Sequence, residues 1–146
     1  MRHLARSGHI KMLCLTLHRP WGHAIIHGTK RIENRTWKPP LRIVGQFIYI
    51  HSGKIYSKTA VKFMKQNGFF APKDEDCPTG IIGIAEITGY TEEDESPWFF
   101  GPYGWTIGKV WSFAKPIDCP GKQGLWKPDL KLFEGVTVVE LEEDFI

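Results

Sequence analysis

A chain of 146 residues, 42% of them hydrophobic, is the size of one ordinary domain and long enough to bury a real core. Its net charge of +3 hides an asymmetry: residues 1–65 hold thirteen Lys and Arg against a single acid, Glu33, whereas residues 66–146 hold six Lys against fifteen Asp and Glu. No stretch approaches the roughly 18 unbroken apolar residues of a membrane-spanning helix, and three widely spaced cysteines with no C-x-x-C pair argue against a disulfide framework or a cysteine zinc site. The expected location is the cytoplasm, with no membrane partner.

Residues 1–11 are basic and lack the apolar centre of a secretory signal, so they are expected to form a flexible extension, with Met12 as a candidate start. Residues 12–146 then form one domain. Residues 12–17 are a short apolar run read as a strand, and Pro20 suits the first turn of a helix over residues 20–27 that buries Trp21, Ala24, Ile25 and Ile26. Gly28 is expected to close that helix in the left-handed conformation. Residues 30–37 alternate Arg31, Glu33 and Arg35 with Ile32, Asn34 and Thr36, and a strand's pleat puts the three charges on one face.

Residues 45–51 read as a strand that is apolar on both faces, with Phe47, Tyr49 and His51 on one side and Ile48 and Ile50 on the other. His51, Ser52 and Lys54 are expected to follow it into a loop. Residues 56–67 have helical spacing, with Tyr56, Ala60, Phe63 and Met64 on one face and Lys58, Lys62 and Lys65 elsewhere. Residues 80–90 read as a second strand apolar on both faces, broken only by Glu86, and further strands are expected over 104–113 and 136–141. Glycine-kinked strands with both faces apolar call for a closed or covered sheet, so the expected fold is α+β, a small mixed, partly closed β-barrel of five to six strands with two or more flanking helices.

The candidate site follows from the lone acid. A carboxylate in a basic surface repels phosphate unless it pairs with a cation or reads a base edge, and Arg35, two residues on and on the same face, is a ready partner for Glu33. Lys30 starts this strand, where the pleat does not settle its direction; a lysine at a cleft edge holds phosphate or, if desolvated, acts as a base. Glu86 is expected to be buried or to line the barrel mouth, as a structural partner for one of these cations or as a third catalytic candidate beside Lys30 and Glu33. Among the aromatic residues, Trp105 and Trp111 are expected in the core, and Trp21, Trp37, Trp98 and Tyr103 are the candidates to stack a base. His23 and His27 have i, i+4 spacing but no third ligand of suitable spacing, so no metal or cofactor is expected.

The run Leu15-Thr16-Leu17-His18-Arg19-Pro20-Trp21, then Gly28-x-Lys30-x-x-Glu33-x-Arg35, then a strand ending in His51, resembles the ASCH domain family. The likeness continues through Gly80-Ile81-Ile82-Gly83-Ile84-Ala85-Glu86-Ile87, and residues 121–126 look like the closing segment of bacterial single-domain members. The resemblance implies a PUA-like β-barrel that binds RNA or modified nucleotides in a cleft beside the motif. Carried onto this chain, the candidate contacts are Arg19, Trp21, Lys30, Glu33, Arg35, Trp37, His51, Ser52, Lys54, Trp98 and Tyr103.

Four functions compete. A binding module would use the basic half to guide single-stranded RNA, with DNA as a lesser alternative, and would depend steeply on salt. A small amidohydrolase of acylated cytidine is implied by one branch of the family, but there a threonine lies three positions after the lysine, where this chain has Glu33. RNA cleavage by Lys30 or His51 with Glu33 ranks lower, because no arrangement singles out a nuclease centre. An interaction domain would use the acidic runs 92–95 and 140–144 to meet a protein partner that the sequence does not specify.

Overall fold

The computed structural model describes residues 12–135 and 138–139 of the chain. The expected extension over residues 1–11, the acidic tail and most of the strand expected over 136–141 lie outside the described residues. β1 (Cys14–Arg19) leads into α1 (Trp21–His27), followed by β2 (Ile32–Arg35), β3 (Gln46–Tyr56), α2 (Lys58–Gln66), β4 (Gly80–Thr91), β5 (Tyr103–Ile117), β6 (Leu125–Trp126) and β7 (Val138–Val139). The strands run β2-β5-β4-β3-β1-β6 across one sheet, and β7 adds to β5. β1 and β3 are parallel and the other pairs antiparallel, so the sheet is mixed. Among the described residues no pairing joins β2 to β6, which leaves the expected barrel open along one seam.

The two-faced strands are explained by two cores. Leu15 and Leu17 of β1, Ile48 and Ile50 of β3, and Ile82 of β4 join Ile25 and Ile26 of α1 in one cluster. Cys14, Tyr49, Ile81 and Ile84, on the alternate positions, join Trp111, Phe113 and Trp126 in another. Each fully buried aliphatic or aromatic side chain contributes about 1.5–3 kcal/mol, so a polar exchange at any of these positions forfeits that burial. Glycine permits the closest approaches: a Cβ at Gly83 would stand 2.2 Å from the Trp111 carbonyl oxygen across the ladder.

α2 is capped by Ser57, whose Oγ accepts from the Ala60 N–H at 3.1 Å, and buries Ala60 and Met64 while its lysines stay exposed. The closing glycine of α1 differs from expectation. Gly28 is extended (φ −125°, ψ −151°), and what demands glycine there is space, because a Cβ would lie 2.8 Å from the Ala24 carbonyl oxygen. That carbonyl accepts the Lys30 N–H at 3.1 Å, turning the chain sharply from α1 toward β2.

Candidate functional site

The open seam holds a cleft of ≈ 1260 Å³. One wall is β2 and the residues just after it, with Glu33, Asn34, Arg35 and Trp37; the other is Thr16 to His18 of β1, residues 51–55 of β3 and the segment 118–124 that precedes β6. Trp21, at the start of α1, closes one side. The two walls come from opposite ends of the strand order, so the fold makes the cleft by leaving the sheet unclosed.

Glu33 is only 7% exposed and is held from both sides. Its Oε1 lies 3.2 Å from Lys30 Nζ and its Oε2 accepts from Arg35 Nη1 at 3.2 Å. Lys30 is 2% exposed; its Nζ also donates to the Ile32 carbonyl and lies 5.4 Å and 5.9 Å from the ring centroids of Trp21 and Trp98. Burial pulls the Lys30 ammonium below the ordinary lysine range, while Glu33 works in the opposite direction to keep it charged. Arg35 lies 5.6 Å from the Trp37 ring, and Trp37 is in turn fixed edge-on against buried Trp105, whose Nε1 donates to the Trp37 carbonyl at 2.9 Å. A carboxylate clamped between two cations and facing a cleft lined by indoles is a preorganised acceptor for a planar ring's N–H groups.

A model of the ASCH domain matches residues 15–117, from β1 to the end of β5. The chain belongs to the ASCH domain family. No match is found among curated proteins. The family assignment agrees with the α+β, PUA-like sheet and is consistent with nucleic-acid binding. In this ASCH domain the matched span contains the whole β2 wall and β1 and β3, whereas the 118–124 segment of the cleft lies beyond it.

Several expected contacts stand elsewhere. Arg19 is 8% exposed and is spent on backbone: Nε donates to Gly53 O at 3.0 Å, Nη2 to Lys54 O at 2.8 Å, and Nη1 to Cys77 O at 2.8 Å and to the Asp74 carbonyl and carboxylate at 3.1 Å and 2.6 Å. It ties the 74–77 turn to the end of β3, and four of these five contacts are to backbone carbonyls. Arg31 leaves the charged face expected for it, because its Nη1 reaches back to the carbonyls of Ile25, Gly28 and Lys30 at the end of α1. Glu86 is separate from the cluster; its Oε1 accepts the Lys109 N–H at 3.1 Å across a bulged stretch of β4 and β5. Trp98 is 4% exposed and stacked on Phe69 at 4.2 Å, and Tyr103 packs on Tyr90 at 6.0 Å outside the cleft lining.

His51 and Ser52 line the cleft from within β3, not from a loop, since the strand continues to Tyr56 by pairing with β1. His51 Nε2 lies 2.7 Å from the Cys119 carbonyl oxygen, which makes Nε2 the protonated nitrogen and leaves Nδ1 a buried acceptor with no partner among the described residues. Ser52 Oγ is likewise buried and without a partner among the described residues. Lys54 is exposed at the cleft rim. His23 and His27 have rings 4.8 Å apart and line a second cavity of ≈ 340 Å³ with Cys77 and Ser112; among the described residues no three metal-ligating side chains gather.

The cleft residues that the sequence reading missed include Asn34, Thr16 and Lys122. Asn34 Nδ2 donates to Trp98 O at 2.9 Å, and its Oδ1 accepts the N–H groups of Phe100 and Gly101 at 2.7 Å and 3.0 Å, so one amide shapes the aromatic loop. The only signal was an amide placed between two charges. Thr16 Oγ1 accepts from Trp126 Nε1 at 3.0 Å and from the Lys122 N–H at 3.4 Å, fixing the segment that covers the cleft; nothing in a β-branched strand residue announces that role.

Proposed function

We propose that the cleft binds an unpaired nucleotide of RNA, or a modified nucleotide, with the Glu33 carboxylate accepting from an exocyclic amino group of the base. The single observation that carries this reading is Glu33 itself, nearly buried, clamped by Lys30 and Arg35 at 3.2 Å each, and presented to a cleft lined by Trp21 and Trp37. Cytosine and adenine carry such an amino group, and uracil does not. Lys30 acts here by positioning, since its Nζ is occupied and lies behind Glu33 from the cleft. Phosphates are met at the rim by exposed Lys54 and by Lys122, whose Nζ lies 5.8 Å from the Trp126 ring. Residues 12–146 act as one domain, and a cytoplasmic location fits its three free thiols, Cys14, Cys77 and Cys119.

Equilibrium binding of single-stranded oligocytidine, oligoadenosine and oligouridine tests this reading. Preference for the amino-bearing bases, reduced about tenfold in Glu33→Gln, is expected for the loss of one charged hydrogen bond. Equal binding of all three, unchanged by the substitution, overturns it.

One observation favours an amidohydrolase of acylated cytidine: desolvation drives Lys30 toward the neutral amine that a general base needs. Against it, that amine already serves Glu33 and the Ile32 carbonyl. Nucleoside mass spectrometry after incubation with N4-acetylcytidine separates the two, because deacetylation that is lost in Lys30→Ala belongs to the hydrolase alone.

A further inference from the structure

Trp21 lines the cleft and also heads an aromatic ridge that leads out of it. Its ring centroid is 5.9 Å from Phe63 and 6.1 Å from Phe100, and Phe63 and Phe100 meet edge to face at 4.9 Å. Phe100 is 53% exposed, yet its backbone N–H is fixed by Asn34 at 2.7 Å, so a large ring is held in water by a residue of the cleft wall. Phe63 belongs to α2, which exposes Lys58, Lys62 and Lys65, and no acid occurs between Asn34 and Lys73.

We propose that this ridge is a second nucleotide subsite, where the base next to the one in the cleft stacks on Phe100 and its phosphates meet the α2 lysines. The proposal rests on the cleft reading above and extends it from one nucleotide to a short single strand. A fixed, exposed ring packed against a helix that carries exposed lysines, continuous with a recognition cleft, is the combination that single-stranded nucleic acid binds: stacking is indifferent to base identity, and the cations follow the backbone. The opposite ridge is a poorer route. Tyr90 and Tyr103 also pack edge to face, with Lys38 Nζ 5.2 Å and 5.8 Å from their centroids, but they adjoin the acidic turn 92–95, and Glu92 already acts on Lys38.

The test compares cytidine 5′-monophosphate with a hexacytidine single strand on the full chain, on Phe100→Ala and on the triple variant Lys58→Glu, Lys62→Glu, Lys65→Glu. Phe100→Ala should weaken the hexanucleotide about tenfold, the effect of one stacked base, and leave the mononucleotide unchanged. The triple variant, confined to exposed positions of α2, should weaken the hexanucleotide and flatten its salt dependence. Unchanged hexanucleotide affinity in both variants overturns the subsite, and so does an equal loss for both ligands in Phe100→Ala, which would make the ring a mere support for Trp21. Failure of the cleft reading looks different: Glu33→Gln then leaves mononucleotide binding unaltered whatever the ridge variants do.

Discussion

The two walls of the cleft are built on opposite terms. On the β2 wall every charge has a partner at a fixed distance: Lys30 and Arg35 on Glu33, Arg35 against Trp37, and Asn34 on three backbone groups of the aromatic loop. On the β1–β3 wall His51 Nδ1 and Ser52 Oγ are buried without partners among the described residues, and the covering segment 118–124 is tied down through Cys119 O and Thr16 Oγ1. The difference teaches where rigidity resides. The first wall is preorganised to present charge, and removing one of its members strands the others; the second contains polar atoms whose removal relieves the fold.

The largest expected break is Glu33→Ala. It leaves Lys30 and Arg35 without their anion in a nearly dry site, and loss of about 3 kcal/mol of stability is expected from urea unfolding, the lower end for a broken buried pair because Lys30 can shed its proton. Arg19→Ala comes next, at about 2 kcal/mol, since four hydrogen bonds from one guanidinium to the 53–54 and 74–77 backbone and a fifth to the Asp74 carboxylate disappear. RNA affinity of the folded fraction should be unchanged, whereas a selective loss of affinity would restore Arg19 as a phosphate contact.

A smaller effect belongs to the second wall and to pH. Burial holds the His51 imidazole below its ordinary range, against the Cys119 carbonyl and Asp118, which favour the charged ring. A base whose folded affinity for protons is lowered takes up its proton first in the unfolded chain, so stability falls as pH drops below about 6.5. The melting temperature should decrease from pH 7.5 to 5.5, less steeply in His51→Gln, with His23 and His27, whose imidazoles desolvation also lowers, contributing in the same sense. An identical slope in the variant would remove His51 from this account. Smallest is Ser52→Ala, expected within about 0.5 kcal/mol of the parent or slightly stabilising, because the hydroxyl it deletes makes no hydrogen bond among the described residues.

The same contrast explains what was legible in the sequence. The pairing of Glu33 with Arg35 was readable because a pleat puts i and i+2 on one face whatever the rest of the chain does. The alternate packing of Ile48 and Ile50 against Phe47 and Tyr49 was readable for the same reason. Lys30 was not, since it precedes β2 and owes its burial to Trp98, far along the chain, and Arg19 owes its role to carbonyls 34 to 58 residues away. His51 and Ser52 were misplaced into a loop because β3 is prolonged by its parallel pairing to β1, with Arg19 opposite Tyr56, a non-local contact without local pattern. Gly28 was correctly singled out, but for a conformation rather than for the space that Ala24 denies a side chain.

The most direct measurement is an NMR titration of the full chain with cytidine 5′-monophosphate and uridine 5′-monophosphate, following the indole N–H signals of Trp21 and Trp37 and the Arg35 Nε–H. Cytidine should shift all three and uridine should do so about tenfold more weakly, with the difference abolished in Glu33→Gln. Equal shifts for the two nucleotides, or shifts that spare these signals, would contradict a carboxylate-read base in the cleft.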